Sequence, residues 1–180
     1  MFNLPNSLTF LRILLAPLLV VVLLTRFAGS ELWGLGIFLL AAITDAVDGA
    51  IARRTKAVTN VGALLDPIAD KLLISSAYIS LAELKLAPAW MVVVIVGRDF
   101  AVSGLRQIAQ ERGVTIAATM WGKLKTLSQI VAFSVVIITH QFGFLEPLGT
   151  LFLWVAVAMT AASLASYFIR FWHVALGTAP

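Results

Sequence analysis

The stretch Asp45-Ala46-Val47-Asp48-Gly49-Ala50-Ile51-Ala52-Arg53 is followed, eight residues on, by Gly62-Ala63-Leu64-Leu65-Asp66-Pro67-Ile68-Ala69-Asp70. Four of the chain's five aspartates therefore fall within 26 residues. What surrounds them is almost wholly apolar: of 180 residues, 61% are hydrophobic and 12% charged, and the mean hydropathy is +0.99. A soluble domain is usually about one-quarter charged. The apolar residues come in long runs rather than at amphipathic spacing, which puts the chain in the membrane class. Six runs, at 8–25, 31–52, 62–84, 88–110, 118–139 and 148–172, are each long enough to cross roughly 30 Å as a helix. Only a helix or a closed barrel satisfies its own backbone in lipid. The expectation is an all-α integral membrane protein, one domain over 1–180, with six transmembrane helices. The first run is read as a span and not a secretory signal. It contains Pro17, its N-terminal region has only Arg12, and no small-x-small cleavage site follows.

Six spans place both termini on one side. Arg12, Arg53, Arg54, Lys56, Lys71, Arg98, Arg106, Arg112, Lys123, Lys125 and Arg170 fall there, against Arg26 and Lys85 opposite. The basic side is the cytoplasmic side of the inner membrane. Trp33 and Trp90 suit the outer interface, Trp121 and Trp172 the inner one, and Trp154 mid-span packing. The chain has no cysteine, which excludes disulfides and thiolate chemistry. Its net charge of +4 is modest, and no soluble basic domain is present, so nucleic acid is not an expected partner.

An ionised carboxylate in hydrocarbon costs several kcal/mol unless it is paired, hydrated or bound to a cation. At 100° per residue, Asp45, Asp48, Gly49, Ala52 and Arg53 share a helix face about 140° wide, and Gly62, Asp66 and Asp70 share one about 80° wide. A short loop joins the two helices, so the carboxylates can converge near their cytoplasmic ends, in a polar, metal-containing cavity. Hard cations such as Mg²⁺ or Mn²⁺ take oxygen ligands, and four carboxylates can hold two ions. An ion pair can stabilise the attacking and leaving oxygens of a displacement at phosphorus. Gly49 and Gly62 leave room for a substrate against backbone, and Arg53 can clamp a phosphate. Pro67 either kinks the third helix or starts it locally. Two other readings remain open at this point. The aspartates could pair with Arg53, Arg54 or Lys71 as buried salt bridges, or could line the path of an ion-coupled transporter.

The pattern D-x2-D-G-x2-A-R-x8-G-x3-D-x3-D, filled by Asp45, Asp48, Gly49, Ala52, Arg53, Gly62, Asp66 and Asp70, resembles the signature of the CDP-alcohol phosphotransferases. The likeness extends to length and span layout. It implies that Asp45 and Asp66 each contact both of two divalent cations, with Asp48 completing one shell and Asp70 the other. It also implies that Asp70 is the general base, that Gly49, Arg53, Thr59 and Gly62 line the CDP-diacylglycerol site, and that the protein is a homodimer. The Gly34-Leu35-Gly36 stretch is too short to mark a dimer face by itself.

The outer segments address the acceptor. Asn3 to Arg12, then Arg98-Asp99-Phe100-Ala101-Val102-Ser103-Gly104-Leu105-Arg106, then Gly122-Lys123-Leu124-Lys125-Thr126 with Gln129, are similar to the phosphatidylglycerophosphate synthases of that family. Asp99 stands where those enzymes often carry Glu, and an Arg-Asp here also resembles the CMP-releasing cardiolipin synthases. Independently, Arg98, Arg106, Lys123 and Lys125 form a basic cluster around the fourth-to-fifth connection, suited to an acceptor phosphate. The implied reaction moves the phosphatidyl group from CDP-diacylglycerol to glycerol 3-phosphate, giving phosphatidylglycerophosphate and CMP. Phosphatidylglycerol, inositol phosphate and serine are the alternative acceptors. Asn6, Thr9 and Arg12 either form a lid or touch the donor, or the first helix is capped at Asn6 or Ser7 while Arg12 snorkels to headgroups. His140 and His173 read as isolated, and Glu31, Glu83 and Glu146 as solvated loop residues.

Overall fold

The computed structural model describes the backbone of residues 4–55, 60–111, 113, 120–143 and 145–176, and the side chains of 7–45, 65–111, 113, 120–143 and 145–169. Within these the chain is all-helical: α1 (Leu4–Leu24), α2 (Ser30–Thr55), α3 (Asn60–Glu83), α4 (Ala89–Glu111), α5 (Met120–Phe142) and α6 (Glu146–Leu176). Each helix overlaps one of the six apolar runs. At 1.5 Å per residue, α2 with its 26 residues is about 39 Å long. Pro67 lies inside α3 rather than at its start. Because α1 begins at Leu4, Asn6 and Ser7 are inside the helix and are not its cap.

The helices stop where the backbone reverses hand. After α3, Lys85 adopts φ 61°, its N–H donates to Ala82 O at 3.0 Å, and the Leu86 N–H donates to Leu81 O at 2.8 Å. These are the two bonds of a Schellman closure, and Pro88 then prevents continuation. After α5, Gly143 takes φ 64° and Pro147 enters the first turn of α6, where its missing N–H costs nothing.

Helix α1 packs on α2 and α3, α5 packs along α6, and α4 contacts both α3 and α6. The core centres on Phe38 of α2 and Phe133 of α5, whose ring centroids are 4.3 Å apart, with Tyr78 of α3 at 6.4 Å from Phe133. The Tyr78 hydroxyl donates to the Gln129 carbonyl at 2.9 Å, so this buried phenol is satisfied. Gly34 lets α2 approach α1 closely: a Cβ there would meet Leu23 Cδ2 at 2.3 Å. The outer faces are apolar. Leu14, Trp33 and Val93 are each 68% exposed and Ile169 is 78% exposed. Trp154, expected to pack in mid-span, meets a tryptophan of another helix. It is half-exposed and tilts against Trp90 at 5.3 Å, because α4 and α6 run side by side.

Among the described residues, three helices, α1, α5 and α6, are long and apolar enough to cross a membrane by length and composition. The other three are more heavily charged, with the aspartates on α2 and α3 and Arg98, Asp99 and Arg106 on α4.

Candidate functional site

Helix α2 presents Asp45, while α3 presents Asp66 and, one turn on, Asp70. Carboxylate oxygens of these three residues all lie within 4.8 Å of one another. Like charges so close require a counter-charge. It comes from α1. Arg12, only 2% exposed, points its guanidinium into the cluster, with Nη2 at 2.7 Å from Asp45 Oδ1 and Nη1 at 3.4 Å from Asp66 Oδ1 and bonded to Asp70 Oδ1. Thr9, three residues earlier on the same helix face, donates to Asp66 Oδ1 at 3.1 Å. Arg12 thus does not snorkel, and the cluster's ion partner is a residue of α1. The three aspartates remain 39%, 50% and 47% exposed at their side chains, so the cluster is open to solvent on one side. An all-oxygen, anionic and accessible donor set suits a hard divalent cation.

Asp48, Gly49, Ala52 and Arg53 continue α2, and Gly62 lies in the first turn of α3. The side chains of Asp48, Ala52 and Arg53 lie outside the described residues, as does Thr59 altogether.

The distal basic cluster opens onto the same space. A cavity of about 550 Å³ is lined by Asp45 and Asp70 and also by Arg98, Arg106, Lys123 and Lys125. The four cations are not equivalent. Lys125 is buried and donates to both oxygens of Asp99, at 2.7 and 2.8 Å. Arg98 is buried too, with Nη1 at 3.1 Å from Asp99 Oδ1 and Nη2 at 2.5 Å from Ser163 Oγ. Asp99 therefore bridges two of the cations and fixes them across α4 and α5. Arg106 is half-buried and donates from Nη2 to the Tyr167 hydroxyl at 2.5 Å. Lys123 is exposed at the cavity wall.

The sequence reading puts Arg12 at the donor or at headgroups rather than at the aspartates, and it assigns neither Ser163 nor Tyr167. A signal for the last two existed: Thr160, Ser163 and Tyr167 form an i, i+3, i+7 polar stripe on the otherwise apolar α6, and all three are buried. On the far side of the molecule, Glu31 is not a loop residue but lies in the first turn of α2, with an oxygen 3.4 Å from His140 Nε2. His140 is accordingly not isolated. Glu146 opens α6 and Glu83 ends α3. The side chain of His173 lies outside the described residues.

Comparison with known proteins places this geometry. A family model described as CDP-alcohol phosphatidyltransferase matches residues 2–162. A CDP-diacylglycerol–glycerol-3-phosphate 3-phosphatidyltransferase from Bacillus subtilis (strain 168) is 45% identical, covering 96% of this chain and 97% of the relative. Relatives of the same description from Rickettsia typhi and Pseudomonas fluorescens are 36% and 34% identical, over 93% and 94% of this chain and 96% and 90% of their own length.

Proposed function

The chain belongs to the CDP-alcohol phosphatidyltransferase family, and from that premise we propose that it transfers the phosphatidyl group of CDP-diacylglycerol to glycerol 3-phosphate, releasing CMP. The observation that carries this reading is one cavity walled by Asp45 and Asp70 and by the basic cluster. Its two ends match the two partners of the reaction, a diphosphate and a phosphorylated alcohol.

Asp45, Asp48, Asp66 and Asp70 would hold two divalent cations, Mg²⁺ or Mn²⁺. Bound there, the cations would supply electrostatic stabilisation of the diphosphate and of the leaving CMP. Gly49, Arg53, Thr59 and Gly62 are assigned to the donor by their match to the family pattern. Arg98, Arg106, Lys123 and Lys125 are assigned to the acceptor phosphate, which their place on the cavity wall supports. Asp70 lies on the same wall, where it can take the proton from the acceptor's primary hydroxyl. That oxygen then bonds to the lipid-side phosphorus, and the bond from that phosphorus to the oxygen bridging to CMP breaks. The carboxylate of Asp70 holds the proton at the end of the step.

All six helices are read as spanning the membrane, with both termini and the cavity at the cytoplasmic face. The 11-to-2 division of basic residues supports that orientation. Lipid, and by family resemblance a second copy of the chain, would cover the exposed apolar faces. At that depth the donor's acyl chains stay in lipid while its nucleotide and the acceptor arrive from water.

The test is CMP release by purified, detergent-solubilised protein given CDP-diacylglycerol, Mg²⁺ or Mn²⁺, and one acceptor at a time. CMP that appears with glycerol 3-phosphate alone and is lost on chelation is the expected result. CMP with serine, inositol phosphate or phosphatidylglycerol instead keeps the reaction class and overturns the acceptor. Ion flux in proteoliposomes without CMP release overturns the class.

A further inference from the structure

Arg98 and Arg106 sit two turns apart on α4 and share one aromatic ring: their guanidinium carbons lie 5.4 and 5.3 Å from the centroid of Tyr167 on α6. Both guanidiniums also bond to hydroxyls one turn apart on that helix, Arg98 to Ser163 and Arg106 to Tyr167. The Nε–H groups of both arginines are buried, with no acceptor among the described residues. Both residues line the cavity. A buried N–H left without an acceptor is costly, and such costs persist where a ligand supplies the missing partner.

Taken together, the geometry points to Ser163 and Tyr167 as positioning residues that orient the arginine pair toward the phosphate monoester of the acceptor. This rests on the reading of the reaction given above and deepens it. Each hydroxyl accepts from one Nη and so fixes the rotation of a guanidinium; Arg106 keeps its other Nη for phosphate oxygens, while Arg98 also gives Nη1 to Asp99. The negative face of the ring attracts both cations, which offsets their mutual repulsion before an anion arrives. Asp99 cannot do this for Arg106, because its bonds go to Arg98 and Lys125. Arg106 hydrogen-bonds, among the described residues, to Tyr167 alone, so its orientation depends on that hydroxyl. Selectivity for a phosphorylated over a neutral polyol is then set partly by α6, which contributes no member of the family motif.

The experiment is steady-state CMP release by the wild type, Tyr167→Phe and Ser163→Ala, with glycerol 3-phosphate and CDP-diacylglycerol varied separately. Tyr167→Phe keeps the ring and removes only the hydroxyl. The KM for glycerol 3-phosphate should rise about tenfold, the size expected for one charge-assisted hydrogen bond. The kcat and the KM for CDP-diacylglycerol should stay within about twofold, since the hydroxyl's bond goes to Arg106 of the basic cluster. Ser163→Ala should shift the same KM less, because Arg98 keeps its bond to Asp99. Protection of the wild type against thermal unfolding by inorganic phosphate should weaken in parallel. If the wild type releases no CMP with glycerol 3-phosphate, the reaction assignment fails. If the wild type is active and both variants keep its KM, or lose kcat and both KM values equally, the positioning role fails while the reaction assignment stands. Should Tyr167→Phe not fold, Ser163→Ala decides the question by the same criterion.

Discussion

Replacing Arg12 with Met removes the guanidinium from the aspartate cluster while keeping an unbranched apolar stem in place. The three carboxylates, with oxygens within 4.8 Å of one another, then face each other without their cation. Removing one member of a fully buried ion pair costs about 3–5 kcal/mol. Here the acids are half-exposed, and water reaching them reduces the penalty to about 2 kcal/mol. For a chain of this length that corresponds to a Tm lower by about 4–8 °C. A divalent cation at the same carboxylates acts in the opposite direction: a concentration one hundred times its Kd adds about 2.7 kcal/mol. In the wild type the ion must first compete with Arg12, so the Tm gain on adding Mg²⁺ should be smaller than in Arg12→Met. The assay is thermal unfolding of detergent-solubilised wild type, Arg12→Met and Arg12→Lys, each in chelator and in millimolar Mg²⁺. Arg12→Met should be the least stable in chelator and gain the most from Mg²⁺, with Arg12→Lys between. Equal Tm values in chelator together with equal Mg²⁺ shifts would refute the view that Arg12 and a divalent ion serve the same carboxylates.

Asp70→Asn should reduce turnover by about a thousandfold or more while its Tm falls little, because the amide cannot accept the acceptor's proton; CMP release and thermal unfolding read the two effects separately. Arg106→Ala should raise the KM for glycerol 3-phosphate far more than that for CDP-diacylglycerol, as separate titrations of the two substrates would show. Gly34→Ala should lower stability by about 1–3 kcal/mol, since the new methyl meets buried Leu23 between α1 and α2, and a chemical or thermal unfolding comparison measures it.

Much of the fold was legible because lipid leaves so few options. Long apolar runs must be helices, and all six appear within a few residues of their expected places. The convergence of Asp45 with Asp66 and Asp70 was legible for a similar reason, since helical spacing puts Asp66 and Asp70 on one face of α3 and few residues of sequence separate α3 from α2. What could not be read was which cation meets those carboxylates. Arg12 lies more than thirty residues before Asp45, and its partner depends on how α1 packs on α2 and α3, a tertiary property without a local signal. The basic cluster was legible as a charge pattern but not as a hierarchy. That Asp99 claims Arg98 and Lys125, leaving Arg106 to Tyr167, follows from the meeting of α4, α5 and α6.

The central claim is that the aspartate end and the basic end of one cavity bring an acceptor hydroxyl to a lipid phosphorus. The most direct measurement supplies glycerol 3-phosphate labelled with oxygen-18 at its primary hydroxyl, together with CDP-diacylglycerol and Mg²⁺, and follows the label by mass spectrometry. The account predicts the label in the phosphodiester of the lipid product and none in CMP. Label in a nucleotide product, or label confined to unreacted glycerol 3-phosphate while CMP accumulates, would contradict it.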